Sequence, residues 1–127
     1  ILIGLVGSEM CIRDRSRDYD AIITGDLGNV GKDALFKLLE EQKVDISDRY
    51  YDCGMLMYDT QKQDVHAGGS GCGCSATVLS AYLLHKIEEE WNRILFVPTG
   101  ALLNKTSFNE GQNVPGIAHG VVIEATA

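Results

Sequence analysis

Positive charge is scarce in this chain. Lysine and arginine number 11 against 18 aspartates and glutamates among 127 residues, for a net charge of −7. That balance argues against a nucleic-acid partner held through phosphates, and against adhesion to an anionic membrane surface. Long apolar runs are also missing. None approaches the roughly 20 residues that a membrane-spanning helix needs, so any membrane association is expected to be peripheral. No secretion signal is expected either, since residues 1–7 are apolar enough for a signal core but have no basic leader. The four cysteines, Cys11, Cys53, Cys72 and Cys74, show no disulfide framework, and Cys72 and Cys74 are too close to pair easily. Together these absences point to a reduced, cytosolic compartment. Internal repeats, low-complexity tracts and a Gly-Lys-Ser/Thr phosphate loop are absent as well.

What is present is the composition of a globular domain, with 45% hydrophobic and 23% charged residues and enough length for one core. Residues 1–17 do not read as part of it. Their string Ser8-Glu9-Met10-Cys11-Ile12-Arg13-Asp14-Arg15 resembles translated sequencing-adapter DNA, so the native domain is expected over residues 18–127, as a fragment of a longer protein.

Within that domain the pattern predicts a buried strand over residues 19–24, a turn over 25–31, and a helix over 32–42. Ala34, Leu35, Leu38 and Leu39 share one face of that helix. Residues 44–51 read as a linker. Residues 53–58 form an apolar run that is ambiguous between strand and irregular chain. The clearest helix is expected over residues 72–91, with Ala76, Leu79, Leu83 and Ile87 at helical spacing. Its first half carries almost no charge, which predicts burial on all sides there. A buried strand over 93–98, a long polar loop over 99–115 and a last strand over 116–124 complete the chain. This order fits a layered α/β domain with a central helix between sheets.

The stretch from Asp64 to Ala76 carries the candidate chemistry. Gly68, Gly69, Gly71 and Gly73 fall within six positions, just where a helix begins. Such a loop bares its backbone N–H groups in front of the positive end of a helix dipole, which favours a carboxylate or phosphate. The alternative is a tight turn that needs glycine only for close packing. The loop departs from the dinucleotide fingerprint, where Cys74 stands in place of the third glycine, and from the serine nucleophile elbow, where Cys72 stands in place of the last. Cys72 and Cys74, at a helix start, are candidate reactive thiolates or simply small packing residues. A metal site from Cys53, His66, Cys72 and Cys74 lacks the paired spacing of structural zinc sites. His66, just ahead of the loop, and His119, beside Gly120, can each donate to a carboxylate or serve as acid or base.

These residues also carry a resemblance. The stretch 64–76, together with Gly25-Asp26-Leu27-Gly28, Arg93-Ile94-Leu95-Phe96-Val97, Thr99-Gly100-Ala101-Leu102-Leu103 and Pro115-Gly116-Ile117-Ala118-His119, resembles the stage V sporulation protein AD family, over about residues 19–124. The resemblance implies the C-terminal portion of a thiolase-like layered α/β/α fold. It further implies binding of dipicolinic acid, free or as its calcium chelate, during uptake into the developing spore. The other stage V A proteins at the spore inner membrane would be partners, a homodimer is possible in such a fold, and no cofactor is called for. The implied ligand set is His66, Gly68, Gly69, Ser70, Gly71, Cys72, Gly73, Cys74 and His119. Two departures from the condensing relatives stand out: Gly69 occupies the place of their loop asparagine, and Gly25-Asp26 lacks their catalytic histidine. The expectation is therefore a binding protein rather than an enzyme. The rival is an acyl-transferring, thiolase-like enzyme using a cysteine with His66 or His119. A third reading is a packing fragment of a dimeric scaffold.

Overall fold

The computed structural model describes residues 16–67, 73–101, 105–113 and 116–126. After a 3-10 turn at Ser16–Asp18 come β1 (Ala21–Thr24), α1 (Gly28–Glu41), β2 (Tyr50–Asp52) and the short α2 (Cys53–Met57). A long helical rod follows, made of α3 (Cys74–Val78), a π-helical turn (Leu79–Leu83) and α4 (Leu84–Glu89). Then come β3 (Arg93–Val97), β4 (Thr99–Ala101), α5 (Lys105–Asn109), β5 (Gly116–Ala118) and β6 (Val121–Glu124).

Four strands form one sheet in the order β2-β1-β3-β6. β1 runs parallel to both β2 and β3, and β6 closes the other side antiparallel to β3. β4 and β5 make a separate antiparallel pair. Alternation along β1 and β3 divides the core in two. Ala21, Ile23, Ile94 and Phe96 face the rod and meet Cys74, Val78, Leu83 and Ile87. Ile22, Leu95 and Val97 face the opposite way and meet Leu39, Ile46 and Tyr19, with Leu35 and Phe36 of α1 packed alongside. The result is an α/β domain with helices on both faces of a largely parallel sheet, which explains why β1 and β3 are apolar throughout. Ile22, Ile23, Leu39, Ile94 and Leu95 are all at most 1% exposed, and each such burial contributes about 2 kcal/mol.

Several expectations change. The supposed linker contains β2, which has only three residues, too few for alternation to show. The ambiguous run is the helix α2, capped by Asp52, whose carboxylate accepts from Met55 N–H. α1 begins four residues earlier than its apolar pattern and turns Ala34 and Leu38 outward, leaving Leu38 56% exposed. The long loop holds β4 and α5, and the last strand is two, broken at His119-Gly120. The rod is buried along one face only. Ala76, Thr77, Ser80, Ala81 and Leu84 lie on exposed positions, although their sequence reads as interior. The hydroxyls of Thr77 and Ser80 turn back to the Gly73 and Ala76 carbonyls, so this outer surface presents mainly carbon.

Candidate functional site

The three parallel strands end at the same edge of the sheet. There β1 gives way to Gly25-Asp26, β2 to Cys53-Gly54, and β3 to Pro98-Thr99-Gly100. The chain leaves β1 for β2 on one side, and β3 lies on the other, so the order reverses at β1. Ligands of open α/β sheets bind outside the carboxyl ends of the strands at such a reversal.

A buried carboxylate organises one half of this edge. Asp52, 2% exposed, accepts through Oδ1 from the Thr24 hydroxyl at 2.5 Å and from Leu27 N–H at 2.9 Å. Its Oδ2 accepts from Gly28 N–H at 3.0 Å and Met55 N–H at 3.2 Å. The glycine-bearing start of α1, with Gly28 at φ +65°, is thus filled by the protein's own acid. Thr24 extends the network to the Tyr50 hydroxyl at 2.7 Å. Burial pushes the Tyr50 phenol well above its ordinary range, so it stays protonated.

The other half is built by the rod. Gly73 opens α3 without a side-chain cap, and no acid stands in the first turn. Ser75 and Thr99 both reach over Gly25. A Cβ placed on Gly25 would lie 2.5 Å from Thr99 N, 2.6 Å from Ser75 Oγ and 2.9 Å from Thr99 Oγ1. Asp26 N–H donates to Thr99 Oγ1 at 3.1 Å, and Gly25 N–H donates to the Val97 carbonyl at 3.0 Å. The segment leading to the glycine loop arrives at this edge as well, since Asn29 N–H donates to the Ala67 carbonyl at 2.9 Å. Beside Gly73 and Gly100, a Cβ would meet no described atom within 4 Å. Two grooves lie along α1, one with Phe36, Leu39 and Val44 in its wall, the other with Lys32, Tyr50 and Met55.

The expected ligand residues distribute as follows. Gly68, Gly69, Ser70, Gly71 and Cys72 lie outside the described residues. Gly73 is exposed at the helix start. Cys74 is 1% exposed and belongs to the core against β1 and β3. His66, at φ +51°, holds its side chain 91% exposed, with Nε2 3.9 Å from Asp64 Oδ1. His119 is exposed just after Ala118, which pairs with Thr99 across β4 and β5. Cys53 is fully buried. Burial, with the neighbouring Cys74 thiol and the Asp52 and Asp26 carboxylates, pushes its thiol up to about 12, so it stays neutral near pH 7. Among the described residues, no three histidine, cysteine or acidic side chains group as a metal site would need. Asp52, Ser75 and Thr99 escaped the sequence reading. The only available hint was an aspartate placed ahead of Cys53-Gly54 as a helix cap.

The comparisons with known proteins address the origin of this arrangement. A family model described as stage V sporulation protein AD (SpoVAD) matches residues 10–124. This chain belongs to the stage V sporulation protein AD family. It is 44% identical over 108 residues to the stage V sporulation protein AD of Bacillus subtilis (strain 168), covering 84% of this chain and 32% of that protein. The chain therefore spans about a third of the length of this SpoVAD relative. Among the described residues, no helix is long and apolar enough to cross a membrane.

Proposed function

We propose that this chain contributes part of a dipicolinic acid binding site in a non-catalytic, thiolase-fold component of the sporulation machinery. Membership of the SpoVAD family supports the sporulation context. The observation that carries the binding reading is the packing over Gly25. Any side chain there would strike the Thr99 backbone at 2.5 Å and the Ser75 hydroxyl at 2.6 Å. An acid/base side chain at Gly25 has no room.

A compact diacid asks for converging donors and little else. The start of the rod, where Gly73 brings no side-chain cap, offers backbone donors with positive dipole potential behind. Asp26 stands at the same edge, and its charge favours a ligand that brings its own cation, as the calcium chelate does. In the cell the full-length protein would sit at the inner membrane of the developing spore, peripherally, with the other stage V A proteins.

Titration calorimetry of the full-length protein with pyridine-2,6-dicarboxylic acid, with and without calcium, tests this reading. Saturable heat at one site per chain is expected. A folded protein that gives no heat in either condition overturns it. Intact-mass measurement after incubation with acyl-CoA covers the enzymatic alternative, for which a covalent acyl adduct would be the mark.

A further inference from the structure

We propose that the outward face of α1 is a self-complementary docking surface, on which α1 of a second copy of this chain lies antiparallel, centred on Ala34. The inference is independent of the ligand reading. The inward face of α1 is already used, because Leu35, Phe36 and Leu39 pack towards the sheet. Yet the helix carries a second apolar row. Val30, Ala34 and Leu38 recur at every fourth residue and so share one face. Val30 is 70% exposed and Leu38 56%, with Ala34 exposed between them. A helix with apolar residues on opposite sides suits burial between two layers. The described residues supply one of those layers.

The charges beside the row select its occupant. Asp33 and Lys37, also four residues apart, are exposed along one flank. The Lys32 ammonium stands 3.9 Å from the Asp33 carboxylate, whose side chain stays 77% exposed. When a second α1 runs antiparallel with Ala34 against Ala34, Val30 meets Leu38 of the other copy. On the flank, Asp33 meets Lys37 of the other copy and Lys37 meets its Asp33. A two-fold axis makes each of these contacts twice. In the parallel alignment Asp33 would face Asp33 and Lys37 would face Lys37, which opposes pairing. The small side chain at Ala34 lets the helix axes approach to about 8 Å. One helix face against another lies at the small end of specific interfaces, so the pairing is expected to be weak and reversible.

The test uses full-length protein, sedimentation velocity over a concentration series, and thermal melts of every variant. Ala34→Cys puts a thiol at the two-fold axis, so mild oxidation by a small disulfide should join two chains beyond the wild-type level. Val30→Cys should not, because its equivalent lies about 12 Å away along the helix pair. Leu38→Glu should weaken self-association at least tenfold and leave the melting temperature in place, since the side chain is exposed in the single chain. Asp33→Lys should weaken it about threefold or more, and adding Lys37→Asp should restore it. A folded Ala34→Cys protein that gives no linked dimer overturns the proposal. So does Leu38→Glu that lowers the melting temperature with unchanged sedimentation, since the row would then be covered by another part of the same chain. An assembly that survives Leu38→Glu uses another surface and overturns it too. If Leu38→Glu fails to fold, the Ala34→Cys cross-link and the charge exchange still decide the matter.

Discussion

Two helices in this domain begin at glycines on the same edge of the sheet, and they are finished differently. At the start of α1 the Leu27 and Gly28 amides are taken by the Asp52 carboxylate, at 2.9 Å and 3.0 Å. At the start of α3, Gly73 provides no side-chain cap and the first turn holds no acid. Both have the glycine, the exposed donors and the dipole that favour an anion. One has its anion built in. The lesson is that a glycine-rich helix start marks a place for negative charge, and only the tertiary neighbours decide whether that charge is a side chain or a guest.

The sharpest way to break the comparison is to remove the built-in anion. Asp52→Ala strands three backbone amides and the Thr24 hydroxyl in a buried place, and should cost about 3–5 kcal/mol of stability, measured as a shift in the urea midpoint. Asp52→Asn keeps the shape and part of the acceptor capacity, and should fall between the two. If Asp52→Ala proves neutral, the α1 start is not held by its carboxylate and the contrast with α3 disappears.

A smaller effect is expected where the two halves touch. Gly25→Ala forces a methyl group against the Thr99 backbone and the Ser75 hydroxyl, and should cost about 2 kcal/mol. An unchanged melting curve would show that the rod and the β3–β4 turn can simply part there.

Alkaline pH probes the core behind α3. The Cys53 thiol is raised from an ordinary 9.0 to about 12 in the fold. A thiol that is harder to ionise when folded lends stability that is complete below pH 9 and is lost as pH climbs towards 12. The Cys53 share of the loss should be at most about 1.4 kcal/mol per pH unit, and Cys53→Ala should remove that share, leaving the part above pH 10 that the buried Tyr50 phenol supplies. The smallest effect belongs to the α3 start, which no side chain of Gly73 caps. Gly73 already has helical angles, φ −85° and ψ −12°, so Gly73→Ala should change stability by less than about 0.5 kcal/mol while weakening dipicolinate binding. A large loss of stability would mean that the α3 start is packed as tightly as that of α1.

Much of this arrangement was legible in the residues. The apolar runs 21–24 and 93–97 could only be strands covered on both faces, and the spacing of Leu79, Leu83 and Ile87 placed the rod. The elements that escaped are those too short for periodicity. β2 has three residues, β4 has three, and α2 has five. Each is held by its neighbours instead: β2 by β1, β4 by β5, and α2 by the Asp52 cap. The candidate site divides the same way. The glycine loop announces itself because four glycines in six positions are rare. Ser75 and Thr99 stand 24 positions apart in ordinary contexts, and nothing local marks them as neighbours.

The order of residues by itself determined the α/β class, the buried strands and the family, because unbroken apolar runs, helical spacing and an unusual glycine–cysteine string are properties of the chain read in one direction. Which glycine turn received a built-in carboxylate was decided only in three dimensions. That outcome depends on Asp52 reaching back to Gly28 and on Ser75 and Thr99 meeting over Gly25, contacts between residues far apart in the chain that exist only once the strands are aligned.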